Sequence, residues 1–453
     1  MLVRHLIQTA RAAVASFPKY QSSHTTAAPL WSKYHWHAYS QMTHTTMKIT
    51  TPQFERVFTP GIRRLADIFK QYNYELRIAG GAVRDLLMGK QPHDIDFATT
   101  ATPEQMKDMF TKEEIRMINT KGEKHGTITA RLMEENFEVT TLRIDVVTDG
   151  RHAEVEFTTD WQLDAERRDL TINSMFLGLD GTLYDFFNGK QDLDDCKVLF
   201  VGNAVKRIQE DYLRILRYCR FYGRIAKEPN QHCADTLQAI RENADGLAGI
   251  SGERIWMELK KILVGNHAAS IMKSMYELQL YPYMGLPRAA NVSEFHAVYE
   301  RSKVMEAKAA TLLAALMKDE NDVMTMDERL KISAEERKTA AFVVNNRGEK
   351  SHDDVLKPYK DLIMANQRKE KNIVQYVLEV LKYQGDTHIY EGIKSWPLPV
   401  FPVTGRDLIA AGIPKDKKFG HMLNNIRDVW IESDYKLTKD ELMVKLLELV
   451  KNR

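Results

Sequence analysis

Cysteine is scarce in this 453-residue chain: only Cys196, Cys219 and Cys233 occur. Their odd number and the lack of any CxxC spacing argue against a disulfide framework and a cysteine zinc site. A reducing compartment fits such usage. Long apolar runs are also missing. None approaches the ~18–20 residues that a membrane-spanning helix requires, so no membrane partner is expected. Neither sign of charge dominates, since 64 Lys+Arg stand against 62 Asp+Glu, a formal net charge of +2. No fixed-period repeat is present. What remains is ordinary globular material, for 43% hydrophobic and 28% charged residues exclude wholesale disorder. The length predicts roughly two to four domains at about 100–200 residues each.

The most local absence is of acid. Asp and Glu are missing from Met1 to Gln53, and the first acidic residue is Glu55. Arg4, Arg11, Lys19, Lys33 and Lys48 lie in that stretch, and Leu2, Leu6, Ile7 and Ala10 give its start a helix-like apolar face. An acid-poor, Arg-containing, amphipathic beginning is the signature of a mitochondrial transit peptide, expected over residues 1–46 and implying a place in the matrix. The alternative is a disordered basic arm on a cytosolic protein. His24, His35, His37 and His44 suit a solvated leader better than a metal site. Met42 and Met47 offer internal starts that would yield a leaderless cytosolic or nuclear form. Setting aside the five cations of the acid-free stretch Met1 to Gln53 leaves 59 basic against 62 acidic residues, a net of −3. A polyanionic partner must then be held by local clusters rather than by a global field.

Hydrophobic spacing divides the rest into a mixed α/β head and a long helical arm. Residues 54–71 read as helical, with a break or fresh start at Pro60. Strands are expected at Leu76–Ala79, Ile95–Ala98, Thr127–Leu132, Phe137–Ile144, Glu154–Thr158 and Thr182–Phe186. Beyond about residue 190 strand alternation is nearly absent. Helices are expected over 203–226, 253–264, 268–279, 303–318 and 326–346, with further segments between 352 and 383. The proline-punctuated stretch Trp396 to Pro402 reads as a rigid connection to a helical tail, which ends on Leu442, Leu446, Leu447 and Val450. The fold class is α+β.

The densest chemical signal is Leu76-Arg77-Ile78-Ala79-Gly80-Gly81-Ala82-Val83-Arg84-Asp85. An apolar strand runs into two glycines and then a helix, so backbone N–H groups can approach an anion, and Arg84 can add a phosphate contact. Asp94-Ile95-Asp96-Phe97 follows. In a strand, i and i+2 share a face, so Asp94 and Asp96 aim two carboxylates at one point. Adjacent like charges are costly unless a cation bridges them, and oxygen-only ligation beside a phosphate cradle suggests Mg²⁺ in a two-metal site. Glu138 is the best third carboxylate, opposite in facing to Phe137 and Val139. The basic run Lys121 to Gly126 either lies over substrate or is a plain hairpin loop.

Arg167-Arg168-Asp169 leads to Asn173. There Arg168 can meet phosphate and Asp169 a ribose hydroxyl. In Glu210-Asp211-Tyr212-Leu213-Arg214, a carboxylate and a guanidinium stand three residues apart on an expected helix. Tyr212, Ile215, Leu216, Cys219 and Tyr222 form that helix's apolar arc. Cytosine and adenine each present an amino donor beside a ring-nitrogen acceptor, which Asp211 and Arg214 complement. Uracil and guanine present the reverse. Arg217 and Arg220 continue the basic face. His352-Asp353 evokes a metal phosphohydrolase, but a lone HD pair is poor support.

These motifs, with Ser251-Gly252-Glu253-Arg254-Ile255 and Glu258, resemble the class II CCA-adding enzymes (tRNA nucleotidyltransferases), of the animal mitochondrial type. The resemblance is dense over about residues 54–265. Over 266–453 it rests mainly on Thr404-Gly405-Arg406-Asp407-Leu408 through Gly420. It implies a catalytic head (47–190), a helical neck that reads the base (191–265), a helical body (266–395) and a helical tail that binds tRNA (396–453). It also implies addition of C, C and A to the tRNA 3′ end from CTP and ATP, without a nucleic-acid template and with release of pyrophosphate. Asp94 and Asp96 would hold metal, with Glu138 the third carboxylate. Gly80, Gly81 and Arg84 would hold triphosphate, and Arg168, Asp169 and Asn173 phosphate and sugar. Asp211 and Arg214 would read the base, supported by Arg217 and Arg220. Asp185 to Gly189 would be the head–neck hinge. Arg254 and Glu258 are expected to be structural. A monomer and a homodimer are both compatible with this reading. The nearest rival is a bacterial-type poly(A) polymerase; a non-catalytic RNA-binding protein is more distant.

Overall fold

The computed structural model describes residues 47–118, 120–148, 153–348, 352–415 and 419–451. The expected transit peptide, with Met42 and the four leader histidines, lies outside the described residues. Among the described residues no helix is long and apolar enough to cross a membrane.

The head is built on ten strands: β1 (Met47–Lys48), β2 (Leu76–Ala79), β3 (Phe97–Thr99), β4 (Arg116–Ile118), β5 (Thr127–Leu132), β6 (Glu135–Thr141), β7 (Arg143–Thr148), β8 (Ala153–Phe157), β9 (Phe176–Gly178) and β10 (Thr182–Tyr184). Eight form one sheet in the order β1-β10-β9-β2-β3-β6-β5-β4, and β7 pairs with β8 as a separate ribbon. β3 and β6 run parallel, whereas the other pairings in the sheet are antiparallel.

The expected strand Phe137–Ile144 is in fact two. β6 ends at Thr141, and the chain passes to the ribbon through Leu142, which is fully buried and bonded through its N–H to Thr99 O and through its O to Thr158 N. The expected Ile95–Ala98 shifts to Phe97–Thr99, and β1, β4 and β9 are additional. These three strands are only two or three residues long, too short for alternation to show.

Helix α1 (Pro60–Gln71) confirms a fresh start at Pro60, with Thr59 Oγ1 accepting from Ile62 N at 3.2 Å. Helix α2 (Gly81–Leu87) follows the glycine turn, and α3 (Pro103–Lys112) opens on a Thr102/Gln105 capping box. These helices cover one face of the sheet. Their apolar stripes meet Ile78, Phe97, Ile128, Phe137 and Val139 in one core. On the opposite face a smaller cluster gathers Ala79, Ala98, Leu142, Trp161 and Phe176.

The arm is helical, as expected, but more finely divided. The expected helix 203–226 is two, α4 (Ala204–Glu210) and α5 (Arg214–Ile225). The stretch 303–318 keeps one short α-helix, Ala309–Ala314, after a 3₁₀ turn. The stretch 326–346 divides at Lys331, whose φ is 53°, before a Ser333/Glu336 capping box. Helix α6 (Gly252–Leu263) packs on α5. One apolar cluster runs from Leu170 to Ile393, through residue 265 without a seam. A separate cluster, including Val403, Leu408, Ile426, Trp430, Leu442 and Leu446, holds the tail together beyond the proline stretch. Leu447 of the expected apolar run is instead exposed.

Candidate active site

A cleft of about 800 Å³ opens between the C-terminal end of β2, the start of β3, the face of β6 and helix α5. That volume is in the range of nucleotide-sized ligand sites, roughly 300–1,000 Å³. One wall is the glycine turn. Gly80 has φ 65° and ψ −121°, a conformation strained for any L side chain. A Cβ there would lie 3.2 Å from Arg168 Nη1. Gly80 and Gly81 both line the cleft, so backbone rather than side chain meets whatever occupies it.

The carboxylates arrive by sheet register. Asp94 and Asp96 precede β3 rather than lying within it, so the strand alternation expected to align them does not operate. What places Asp96 is the parallel pairing of β3 with β6. Phe97 faces Val139, and the preceding pair in that register is Asp96 and Glu138. Both line the cleft, while Val139 is buried beneath. Asp94 is exposed and does not line the cleft. Desolvation, then the Glu138 and Asp94 charges, push the Asp96 carboxyl above its ordinary value, against a weaker pull from Arg168. Crowded acids of this kind suit a divalent cation with oxygen ligands. Among the described residues no three His, Cys, Asp or Glu side chains already enclose a metal position. Asp96 and Glu138 bring oxygen donors alone to this point of the cleft.

Seven arginines and six acids line the cleft, so it works by paired charges rather than by a broad positive field. Asp164 is their hub, with 1% of its side chain exposed. It accepts from Arg143 N at 3.1 Å, Arg167 Nε at 3.0 Å and Arg168 Nε and Nη2 at 3.2 and 3.0 Å. Burial pushes the Asp164 carboxyl up, but Arg168 and Arg167 outweigh it and hold it below the usual range. Arg168 also lies over the Phe176 ring, 4.7 Å from its centroid. Arg143 bonds to His125 O, and burial, aided by Arg167, lowers its guanidinium to about 10.

Asp169 is buried. Its Oδ1 accepts from Leu170 N at 2.9 Å and its Oδ2 from Arg217 Nε at 2.5 Å. Burial raises its carboxyl, and the Arg217 charge and bond more than reverse that. A sugar hydroxyl would thus be a further partner of a carboxylate already fixed in place. Arg84 is buried against Asn173, Nη1 to Oδ1 at 2.5 Å, and both line the cleft.

The Asp211/Arg214 pair differs from expectation. Asp211 has an extended backbone, φ −156° and ψ 105°, which separates α4 from α5. Its Oδ1 caps Leu213 N at 3.1 Å, and its Oδ2 takes Arg254 Nη2 at 2.7 Å. Arg214 bonds to Glu210 Oε2 at 2.6 Å, Arg207 O at 3.0 Å and Arg167 O at 2.9 Å. Both side chains line the cleft but from a break, not from one helix face. The break runs from Asp211, the residue that ends α4, to Leu213, which precedes α5, and the apolar arc through Tyr212 concealed it. Arg217 lines the cleft; Arg220 does not, because Glu258 holds it, Nε to Oε2 at 3.1 Å. Arg254, expected to be structural, lines the cleft. Arg143, Asp145, Arg167, Glu210 and Phe221 join it unforeseen.

Residues 76–199 match the family described as Poly A polymerase head domain, and residues 234–289 that described as Probable RNA and SrmB-binding site of polymerase A. The chain is 59% identical over 405 residues to CCA tRNA nucleotidyltransferase 1, mitochondrial, of Danio rerio, covering 88% of this chain and 94% of that protein. It is 58% identical over 402 residues to the Homo sapiens protein of the same name, covering 88% and 92%. The structure resembles the Bacillus stearothermophilus CCA-adding enzyme in complex with CTP, with a TM-score of 0.70 and 26% identity over 89% of this chain and 99% of that one. The fold is also that of the Thermotoga maritima CCA-adding enzyme complexed with tRNA, with a TM-score of 0.63 and 19% identity over 90% and 100%.

Proposed function

The chain belongs to the CCA tRNA nucleotidyltransferases, and from that premise we propose that it adds C, C and A to the 3′ end of tRNA from CTP and ATP. The observation that carries this reading is the meeting, in one cleft, of a glycine turn, the Asp96/Glu138 pair and the Asp211/Arg214 group. Each addition joins the tRNA 3′ oxygen to the α-phosphorus of the nucleotide, and the bond to pyrophosphate breaks. The Gly81 N–H and Arg168 hold the phosphates, while Gly80, whose own N–H is taken by Met175 O, makes the turn; Arg84 and Asn173 brace that wall. Asp169, fixed by Arg217, accepts from the ribose. Asp94 and Asp96 would hold Mg²⁺, with Glu138 beside them. When bound, the metal lowers the pKa of the attacking hydroxyl and stabilises the departing pyrophosphate. Base choice falls to Asp211 and Arg214, which exchange their present partners for cytosine or adenine.

The same reading gives residues 47–190 the chemistry, 191–265 the base, and 266–395 with 396–453 the body and tail that grip tRNA. A mitochondrial location follows from the names of the relatives and the acid-free leader, with internal starts at Met42 or Met47 supplying a second form. Incubating the protein with tRNA lacking its 3′ end, Mg²⁺ and each nucleotide in turn tests the assignment. Sequential C, C and A incorporation is expected. Extension by A alone, or long A tails, replaces it with a poly(A) polymerase. Extension that survives Asp94→Ala refutes the metal assignment.

A further inference from the structure

Asp85, beside the cleft-lining Arg84, ties the head to the arm. Its Oδ2 and Oδ1 accept from Arg224 Nη2 at 2.8 and 2.9 Å. Its Oδ1 also accepts from Arg84 Nε and Nη2 at 3.1 and 2.9 Å. Arg224 lies in the last turn of α5, the helix whose first turns carry Arg214 and Arg217. Arg84 in turn holds Asn173, and its guanidinium sits 4.9 Å from the centre of the Phe221 ring, also on α5. A continuous series of groups, Arg224, Asp85, Arg84 and Asn173, therefore joins the base-reading helix to the wall that faces phosphate.

Two further facts give this series a purpose beyond cohesion. Leu87, at the end of α2, packs against both the head core and the arm core, so α2 is the element shared by the two bodies. Its other end begins at the glycine turn. The charges also need their carboxylate, because Arg224 and Arg220 both act against the Arg84 charge, which Asp85 supports. We propose that Asp85 and Arg224 form a latch, a positioning pair that sets the spacing between the phosphate-holding end of α2 and the base-reading end of α5.

The latch rests on the function proposed above. It is half-open to solvent, with 44% of the Arg224 and 16% of the Asp85 side chain exposed. Pairs so exposed contribute only about 0–1 kcal/mol to stability, so removing the Arg224 partner leaves the fold intact; Asp85 also pairs with the buried Arg84, so its loss destabilises the fold as well. Misplacing a bound reactant by a fraction of an ångström is far more costly to turnover.

The test uses the full chain as wild type, Asp85→Asn, Arg224→Gln, the double variant and Arg224→Lys. Each is assayed with CTP on tRNA lacking CCA and with ATP on tRNA lacking only the terminal A. The single variants are expected to raise the KM for both nucleotides about fivefold, a coupling typical of one charged network. The KM for tRNA stays at the wild-type value, as does the thermal midpoint of Arg224→Gln, whereas Asp85→Asn melts lower because Arg84 loses its carboxylate. The double variant is no worse than the worse single one, and Arg224→Lys recovers most of the loss. Unchanged nucleotide KM, additive losses, or, in the Arg224 variants, losses that track the thermal midpoint or the tRNA KM overturn the latch. Wild-type protein that fails to use CTP refutes the function instead, and the ATP arm still tests the latch.

Discussion

Replacing Asp164 by Asn removes one charge and almost no volume. Asp164 is the sole carboxylate bonded to both Arg167 and Arg168 among the described residues, and it is 1% exposed. Asn can still accept from Arg143 N and Arg167 at one oxygen. At the other position its NH₂ faces the Nε and Nη2 of Arg168, donor against donor. Removing one partner of a buried ion pair costs about 3–5 kcal/mol. Tenfold in an equilibrium corresponds to about 1.4 kcal/mol, so protected head amides should exchange about 10²-fold to several thousand-fold faster. The sign with pH follows from the depressed carboxyl. A carboxyl held below its unfolded value adds stability at neutral pH, and that contribution is lost as the pH falls through the folded value. Wild type and variant should therefore converge in acid. Arg168, released from its hub beside Gly80, should also lower kcat/KM for CTP by about tenfold or more. Hydrogen exchange at pH 7 and at pH 3–4, with single-nucleotide addition kinetics, checks both effects. Exchange within twofold of wild type at pH 7, or a gap that widens in acid, refutes the reasoning.

Gly80→Ala puts a Cβ 3.2 Å from Arg168 Nη1 at a backbone angle of φ 65°; about 1–3 kcal/mol of strain is expected, read as weaker CTP binding in calorimetry. Asp96→Asn should reduce nucleotide addition at least 10³-fold while tRNA binding in a filter assay stays within twofold; retained addition would remove Asp96 from the site. Arg214→Ala should impair selection of CTP and ATP over UTP and GTP more than it weakens tRNA binding, and equal losses would end its role in base reading.

The elements that cross the cleft were legible because each carries a local signal. Leu76 to Ala79, Gly80 and Gly81 announce strand, turn and helix within six residues, and the structure keeps them in place. The carboxylates were legible as types but not as geometry. Asp94 and Asp96 suggested a shared strand face, whereas Asp96 meets Glu138 through pairing of strands some forty residues apart, which no local pattern states. The break at Asp211 was hidden because Ile215, Leu216, Cys219 and Tyr222 sustain a helical period on one side of it and the spacing of Tyr212 matches that period. Tyr212 instead packs on Gly246, where an added Cβ would lie 2.0 Å from its ring. Arg220 illustrates the reverse error. Its charge and spacing matched Arg217, but Glu258, 38 residues on, takes it out of the cleft.

The parallel pairing of β3 with β6 makes folding a proofreader of the chemistry. Side chains alternate along a strand, so a slip of one residue would send Glu138 into the core and Val139 into the cleft. Phe137 and Val139, 4% and 0% exposed, penalise that slip by the full cost of drowning a carboxylate and wetting two apolar groups. A chain that has closed its head core has thereby aligned Asp96 with Glu138, and a misaligned head is selected against as a misfolded one before it meets any substrate.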